Sequence, residues 1–257
     1  MKNPRRTQIA ALAIVAATAF LRGCGGGNAG APAAPGVDAR QACATLQGKK
    51  IAGATVTAAA VIAASAAVPT YCNVTAKVEP SLNFEMRMPD TWIGKLHYMG
   101  GGGYNGLIVP ASVNALQKGF ITIASDSGHQ GNPLDASFAL NDAYAASLFG
   151  SLSVPTVLSP ALEMIKTVYG RAPSRSYFEG CSNGGREALI NAQRHADLFD
   201  GIVAMAPAYN WAGVMGAFNR TARAVAHRVG SSRRPNWRRC QGRSAMRAMT
   251  RTASSTA

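Results

Sequence analysis

Along the chain, some stretches alternate apolar and polar residues, and others repeat apolar residues every three or four positions. Asn83-Phe84-Glu85-Met86-Arg87-Met88 alternates, the pattern of a half-buried strand, and Pro89-Asp90 supplies a turn after it. Lys95 to Met99 reads as the next strand and runs into the glycine-rich segment Gly100 to Gly106. Phe120 to Ala124 is a short β-branched run followed by the loop Ser125-Asp126-Ser127-Gly128-His129. Leu158, Leu162, Ile165 and Tyr169 recur at helical steps, predicting a helix with one buried face that stops at Gly170. Ser176 to Glu179 predicts a strand, Arg186 to Ala196 a helix, and Ile202 to Ala206 a strand closed by Pro207. Strands alternating with helices predict βαβ units and an α/β fold with a mainly parallel sheet. Two regions resist this reading. Gln41 to Val68 is rich in Ala, Val and Thr without clean periodicity, so no secondary structure is assigned to it, and Phe218 to Ala257 sustains neither period.

Charge changes the picture only at the end of the chain. The formal net charge of +14 invites a nucleic-acid reading, but ten arginines lie between Arg220 and Arg251 and the last acidic residue is Asp200. The basicity belongs to a tail rather than to a folded face, and no aromatic stacking pattern accompanies it, so no nucleic-acid partner is expected. Residues 219–257 are expected to be a disordered basic tail, either native or read out of frame. At the other end, Lys2, Arg5 and Arg6 precede the uncharged run Ile9 to Phe20, a segment of export-signal length rather than membrane-span length. Leu21-Arg22-Gly23-Cys24 resembles a lipoprotein cleavage box, which makes Cys24 a candidate lipidation site and membrane anchor. Export to the periplasm, the outer membrane or the medium is expected. In an oxidising compartment Cys43 and Cys72 are candidates for a disulfide, the alternative being two buried thiols; Cys181 and Cys240 are left over.

The chemistry concentrates at Gly180-Cys181-Ser182-Asn183-Gly184, a G-x-S-x-G turn with an apolar strand before it and a helix after it. Such a turn projects the serine hydroxyl above the sheet, and the following helix points its positive N-terminus at the site. Ser182 is the candidate nucleophile. The Asn183 N–H is one candidate donor to a developing oxyanion, and the Gly101-Gly102-Gly103 loop, chiefly Gly102 and Gly103, is the candidate source of a second.

Tyr177 to Arg186, Phe199-Asp200-Gly201-Ile202-Val203 and Ala206 to Trp211 together resemble the tannase/feruloyl esterase family. Tyr71-Cys72-Asn73-Val74, the Gly100 to Gly106 loop and Asp126 to His129 match that family's earlier blocks in order, so the likeness covers roughly Cys43 to Phe218. The resemblance implies an α/β-hydrolase fold and a serine esterase acting on small-molecule esters of aromatic acids. It also implies a bond from Cys181 to a cysteine beside the catalytic histidine, and a lid domain that often carries calcium. No cofactor is expected for this sequence, because no counterpart of the lid is found. The resulting organisation is a signal (1–24), a linker (25–40), a C-terminally incomplete α/β-hydrolase domain (41–218) and the tail.

The fold orders its triad Ser, acid, His along the chain. After Ser182 stand only Glu187, Asp197 and Asp200, with His195 and His227. A helix of about 13 residues carries His195 roughly 20 Å from the serine, too far for a base. Asp126 and His129 precede the serine and are read as structural or cleft-lining, and His97 as a packed strand residue. Activity is therefore expected to be impaired; the alternative is an exported binding protein that keeps the fold without the chemistry.

Overall fold

The computed structural model describes residues 36–230, with side chains through residue 226. The proposed signal, Cys24, Cys240 and most of the expected basic tail lie outside the described residues.

The chain enters through α1 (Ala39–Leu46), whose start is capped by the Asp38 carboxylate accepting the Gln41 N–H. Four strands follow: β1 (Lys50–Ile51), β2 (Ala54–Ile62), β3 (Tyr71–Val78) and β4 (Leu82–Pro89). They form an antiparallel meander. Then come β5 (Lys95–Met99), α2 (Val113–Gln117) and β6 (Ile121–Ser125). A continuous helical run comprises α3 (Ala143–Ser147), a π-helical turn over Leu148–Leu152 and α4 (Ser153–Tyr169). The chain closes with β7 (Arg175–Cys181), α5 (Asn183–Arg194), β8 (Gly201–Met205) and α6 (Trp211–Gly230).

All eight strands join one sheet in the order β1-β2-β3-β4-β6-β5-β7-β8. The α/β class stands, but the sheet is mixed rather than mainly parallel. Parallel pairing is confined to β6-β5-β7-β8, while β4 pairs antiparallel with β6. The physical reason is local. Short links force the first four strands to turn back on themselves, and only the later strands have helical crossovers long enough to return parallel.

Burial follows the side-chain alternation. Leu82, Phe84, Met86 and Met88 of β4 are fully buried and alternate with the half-buried Asn83, Glu85 and Arg87, and every residue of β6 is buried. A strand covered on both faces belongs at the centre of the sheet. Tyr98, Phe178 and Phe199 interlock beneath the parallel half, with ring centroids 5.4–6.4 Å apart. α1 and α4 pack together against the antiparallel half, and α5 packs on β7 and β8.

Two expectations need correction. Residues 41–68 hold most of α1, then β1 and β2. The outer part of β2 is exposed, so its sequence carries no burial contrast to betray a strand. The boundary at 219 also falls inside a helix, because α6 runs from Trp211 to Gly230. An Ala- and Arg-rich segment has good helix propensity even without a continuous apolar stripe.

Cys43 of α1 and Cys72 of β3 form a disulfide with Cα atoms 5.5 Å apart. It ties the first helix to the sheet and suits an oxidising compartment. The double variant Cys43→Ser, Cys72→Ser should lose about 2–4 kcal/mol of unfolding free energy. Chemical-denaturation midpoints measure this, and an unchanged midpoint would show that the bond contributes nothing to the fold.

Candidate active site

Ser182 is the single residue between β7 and α5, and its backbone sits at φ +58°, ψ −116°. A non-glycine residue held there stores about 1–3 kcal/mol, which the surroundings must offset. They do so with three bonds. The Ser182 N–H donates to the Met205 carbonyl at 3.1 Å, and the Ser182 carbonyl accepts from the N–H groups of Arg186 and Ala208, each at 3.1 Å. Strand and helix approach so closely that a Cβ on Gly180 would strike the Gly184 carbonyl. One on Gly184 would come within 2.8 Å of the Gly101 carbonyl. The Ser182 side chain is exposed, and the neighbouring Cys181 is exposed and has no disulfide partner among the described residues.

The glycine loop meets this elbow directly. The Gly184 N–H donates to the Gly101 carbonyl at 2.8 Å, and Gly103 (φ +59°) lines the same cavity as Ser182. Gly101 is removed from the donor candidates, because its N–H already donates to Glu187 Oε2 at 2.9 Å. The N–H groups of Asn183, Gly102 and Gly103 have no acceptor among the described residues. Asn183 opens α5, so its amide is one of the free donors at the positive end of that helix.

Behind the loop lies a buried polar network that local sequence pattern did not reveal. The Glu187 carboxylate accepts from Gly101 N–H, from Asn105 Nδ2 at 3.4 Å and from Asn183 Nδ2 at 3.3 Å. Asn183 Nδ2 also donates to Asn105 Oδ1 at 2.9 Å, and its Oδ1 accepts from Arg186 Nε at 2.7 Å. Arg186 then donates to the carbonyls of Phe149 (2.7 Å) and Gly150 (2.9 Å), which the π-helical turn leaves available. Burial pushes the Glu187 carboxyl above its ordinary range, opposed by the Gly101 N–H, the Arg186 charge and the two asparagine amides. The one signal in the sequence was a charged pair, Arg186-Glu187, in the first turn of a helix that had to be buried.

The cavity over Ser182 has a volume of ≈570 Å³. One wall is a face of α6 in which Trp211, Val214, Met215 and Phe218 follow the three- and four-residue steps of a helix. Tyr104 packs edge-on to Trp211 with centroids 5.1 Å apart, and Phe149 stands behind them.

Other candidates lie elsewhere. The Asp126 carboxylate accepts from the Asn83 N–H and Nδ2, the Gly128 N–H and Gln130 Nε2, so it fastens its loop to β4. His129 stacks on Phe138 with ring centroids 3.5 Å apart, and burial pushes its pKa down. It does not line the cavity. His97 sits in β5 with Nε2 3.0 Å from Glu179 Oε2. His195 caps the far end of α5, and the side chain of His227 lies outside the described residues. Among the described residues no three His, Cys, Asp or Glu side chains gather as a metal site.

Glu187 yields a pH-dependent prediction. A carboxyl raised on folding contributes its full stability below the ordinary carboxylate pKa and loses it as pH rises through the folded value. Glu187→Gln lacks that loss, so the stability difference between variant and wild type should shift toward the variant from about pH 4 to about pH 8. Urea melts at both ends measure it. A difference independent of pH would mean that Glu187 ionises as freely in the fold as outside it.

Comparison with known proteins adds relatives to this geometry. Residues 65–235 match the family model described as tannase and feruloyl esterase. An uncharacterized esterase of Agrobacterium fabrum is 36% identical over 161 residues, covering 56% of this chain and 29% of that protein. The mono(2-hydroxyethyl) terephthalate hydrolase of Piscinibacter sakaiensis is 34% identical over 194 residues, covering 66% of this chain and 32% of that protein. The chain thus spans about a third of the length of these curated relatives. The crystal structure of feruloyl esterase B from Aspergillus oryzae superimposes with a TM-score of 0.59 at 24% identity, covering 66% of this chain and 39% of that one. That likeness shows the shared fold. With the strained serine turn, the glycine loop packed against it and a matching family model over most of its length, the chain belongs to the tannase and feruloyl esterase family.

Proposed function

We propose that this chain is the nucleophile-bearing part of a carboxylic-ester hydrolase in which Ser182 attacks esters of aromatic acids. One observation carries the reading: Ser182 stands exposed at a strained strand-to-helix turn, on the floor of a cavity walled by Tyr104 and Trp211. The Ser182 hydroxyl oxygen adds to the ester carbonyl carbon. The carbonyl oxygen takes up the negative charge and is stabilised by the N–H groups of Asn183 and of Gly103 or Gly102. The alcohol then leaves, and water releases the acid from the acyl-serine. The family description supports the aromatic class, since it names a feruloyl esterase.

The serine proton needs an acceptor, and no histidine or carboxylate lines the cavity among the described residues. Slow turnover is therefore part of the proposal for this chain, because serine proteases lacking a triad member keep only about 10³–10⁴-fold over the uncatalysed rate. The same feature favours a second reading, a protein that binds aromatic esters without hydrolysing them. The disulfide supports export, and the Cys24 box supports a lipid anchor there.

Incubation with p-nitrophenyl benzoate tests the proposal. Nitrophenol release above the buffer rate should vanish in Ser182→Ala, and peptide mass spectrometry should find a benzoyl adduct on Ser182. Release that survives the substitution, with the adduct elsewhere, would sink the nucleophile assignment. Robust steady turnover that depends on Ser182 would refute the impairment instead.

A further inference from the structure

The cavity over Ser182 is lined by uncharged side chains. Among the described residues, none of the twelve that line it is Asp, Glu, His, Lys or Arg. Its α6 wall presents Trp211, Val214, Met215 and Phe218, and Leu134 and Pro133 close the side toward the glycine loop. Beyond Ser182 itself, the hydrogen-bonding side chains are the Tyr104 phenol and the Trp211 indole, both neutral. The basic residues nearby in sequence point elsewhere. Arg220 lies nine positions after Trp211, about half a helical turn out of phase with the cavity face, and is exposed. The Arg186 guanidinium sits behind the wall, 4.4 Å from the Phe149 ring centroid and 5.8 Å from that of Trp211. It is buried, and it donates to Phe149, Gly150 and Asn183. The one feature that favours an anion is the N-terminus of α5. It opens at Ser182, where the reacting carbonyl sits, so it serves the oxygen that becomes negative during reaction and no other group.

Resting on the reading of Ser182 as the reacting residue, we propose that this cavity selects aromatic esters whose non-reacting end is uncharged, and rejects those with a free carboxylate on the ring. A neutral ring replaces water with contacts to Trp211, Met215 and Phe218. An ionised carboxylate surrendering its hydration against the same wall meets no cation among the described residues and, away from the reacting end, only the two neutral side-chain donors. A phenolic hydroxyl is compatible, because Tyr104 and Trp211 can pair with it.

Two ligands of matched shape test this on the full chain by isothermal titration calorimetry near neutral pH: methyl 4-acetylbenzoate, which is neutral, and monomethyl terephthalate, which carries the anion. The neutral ester should bind at least tenfold more tightly, equivalent to about 1.4 kcal/mol. Met215→Lys and, separately, Val214→Lys place a cation on the cavity wall, and at least one of them should narrow the gap while circular dichroism confirms the fold. Equal affinities, no binding of either ligand, or an unchanged gap in both folded variants overturns the proposal. If both lysine variants unfold, the wild-type pair decides. The outcome separates from that of the nucleophile. A charge gap that persists while Ser182→Ala leaves turnover untouched sinks only the nucleophile. Ser182-dependent turnover with no charge gap sinks only the selectivity.

Discussion

Two backbones touch at the centre of this structure, and most of the local architecture follows from their contact. The Gly184 N–H bonds to the Gly101 carbonyl at 2.8 Å, with no room for a side chain on Gly180, Gly100 or Gly184. That contact brings the loop after β5 against the first turn of α5, with Gly101 and Gly184 83 residues apart in sequence. It places the glycine loop beside Ser182 and leaves the amides of Asn183 and Gly103 free at one end of the sheet. The polar network beneath it acts as a second fastening. A carboxylate buried without water is costly, and Glu187 is tolerated because Gly101, Asn105 and Asn183 donate to it. Removing the Glu187 carboxylate would leave the Gly101 N–H without its acceptor, so the loop and the helix hold or loosen together.

The parts legible in the sequence were those whose pattern is local. β4 was visible because Phe84, Met86 and Met88 alternate with polar neighbours, and α4 because Leu158, Leu162 and Ile165 share a face. The elbow was visible because its chemistry demands small residues at fixed spacing around Ser182. β3 was legible in principle: Cys72, Val74 and Ala76 point inward between Asn73, Thr75 and Lys77. β2 was not, because alanines on a half-exposed strand offer no contrast between faces.

What escaped the sequence is long-range. No spacing rule links Asn105 to Asn183 or Gly101 to Glu187, and alternation says that a strand exists without saying which strand lies beside it. The insertion of β6 between β4 and β5, and hence the mixed sheet, is of that kind. The cavity wall on α6 is an intermediate case. Trp211, Val214, Met215 and Phe218 carry a plain helical spacing, but it is short and gives way to an arginine-rich run with no apolar period.

Arg186 gives this arrangement an unplanned economy. One guanidinium fixes the Asn183 side chain at the mouth of α5, holds the carbonyls of the π-helical turn, and lies against the rings of Phe149 and Trp211. The aromatic wall and the free Asn183 amide therefore share a single mechanical joint. Reshaping the aromatic wall to admit a bulkier guest would disturb that amide as well. On the proposed function, breadth of recognition and quality of chemistry are not free to evolve independently, and drift in one must be matched by repair in the other.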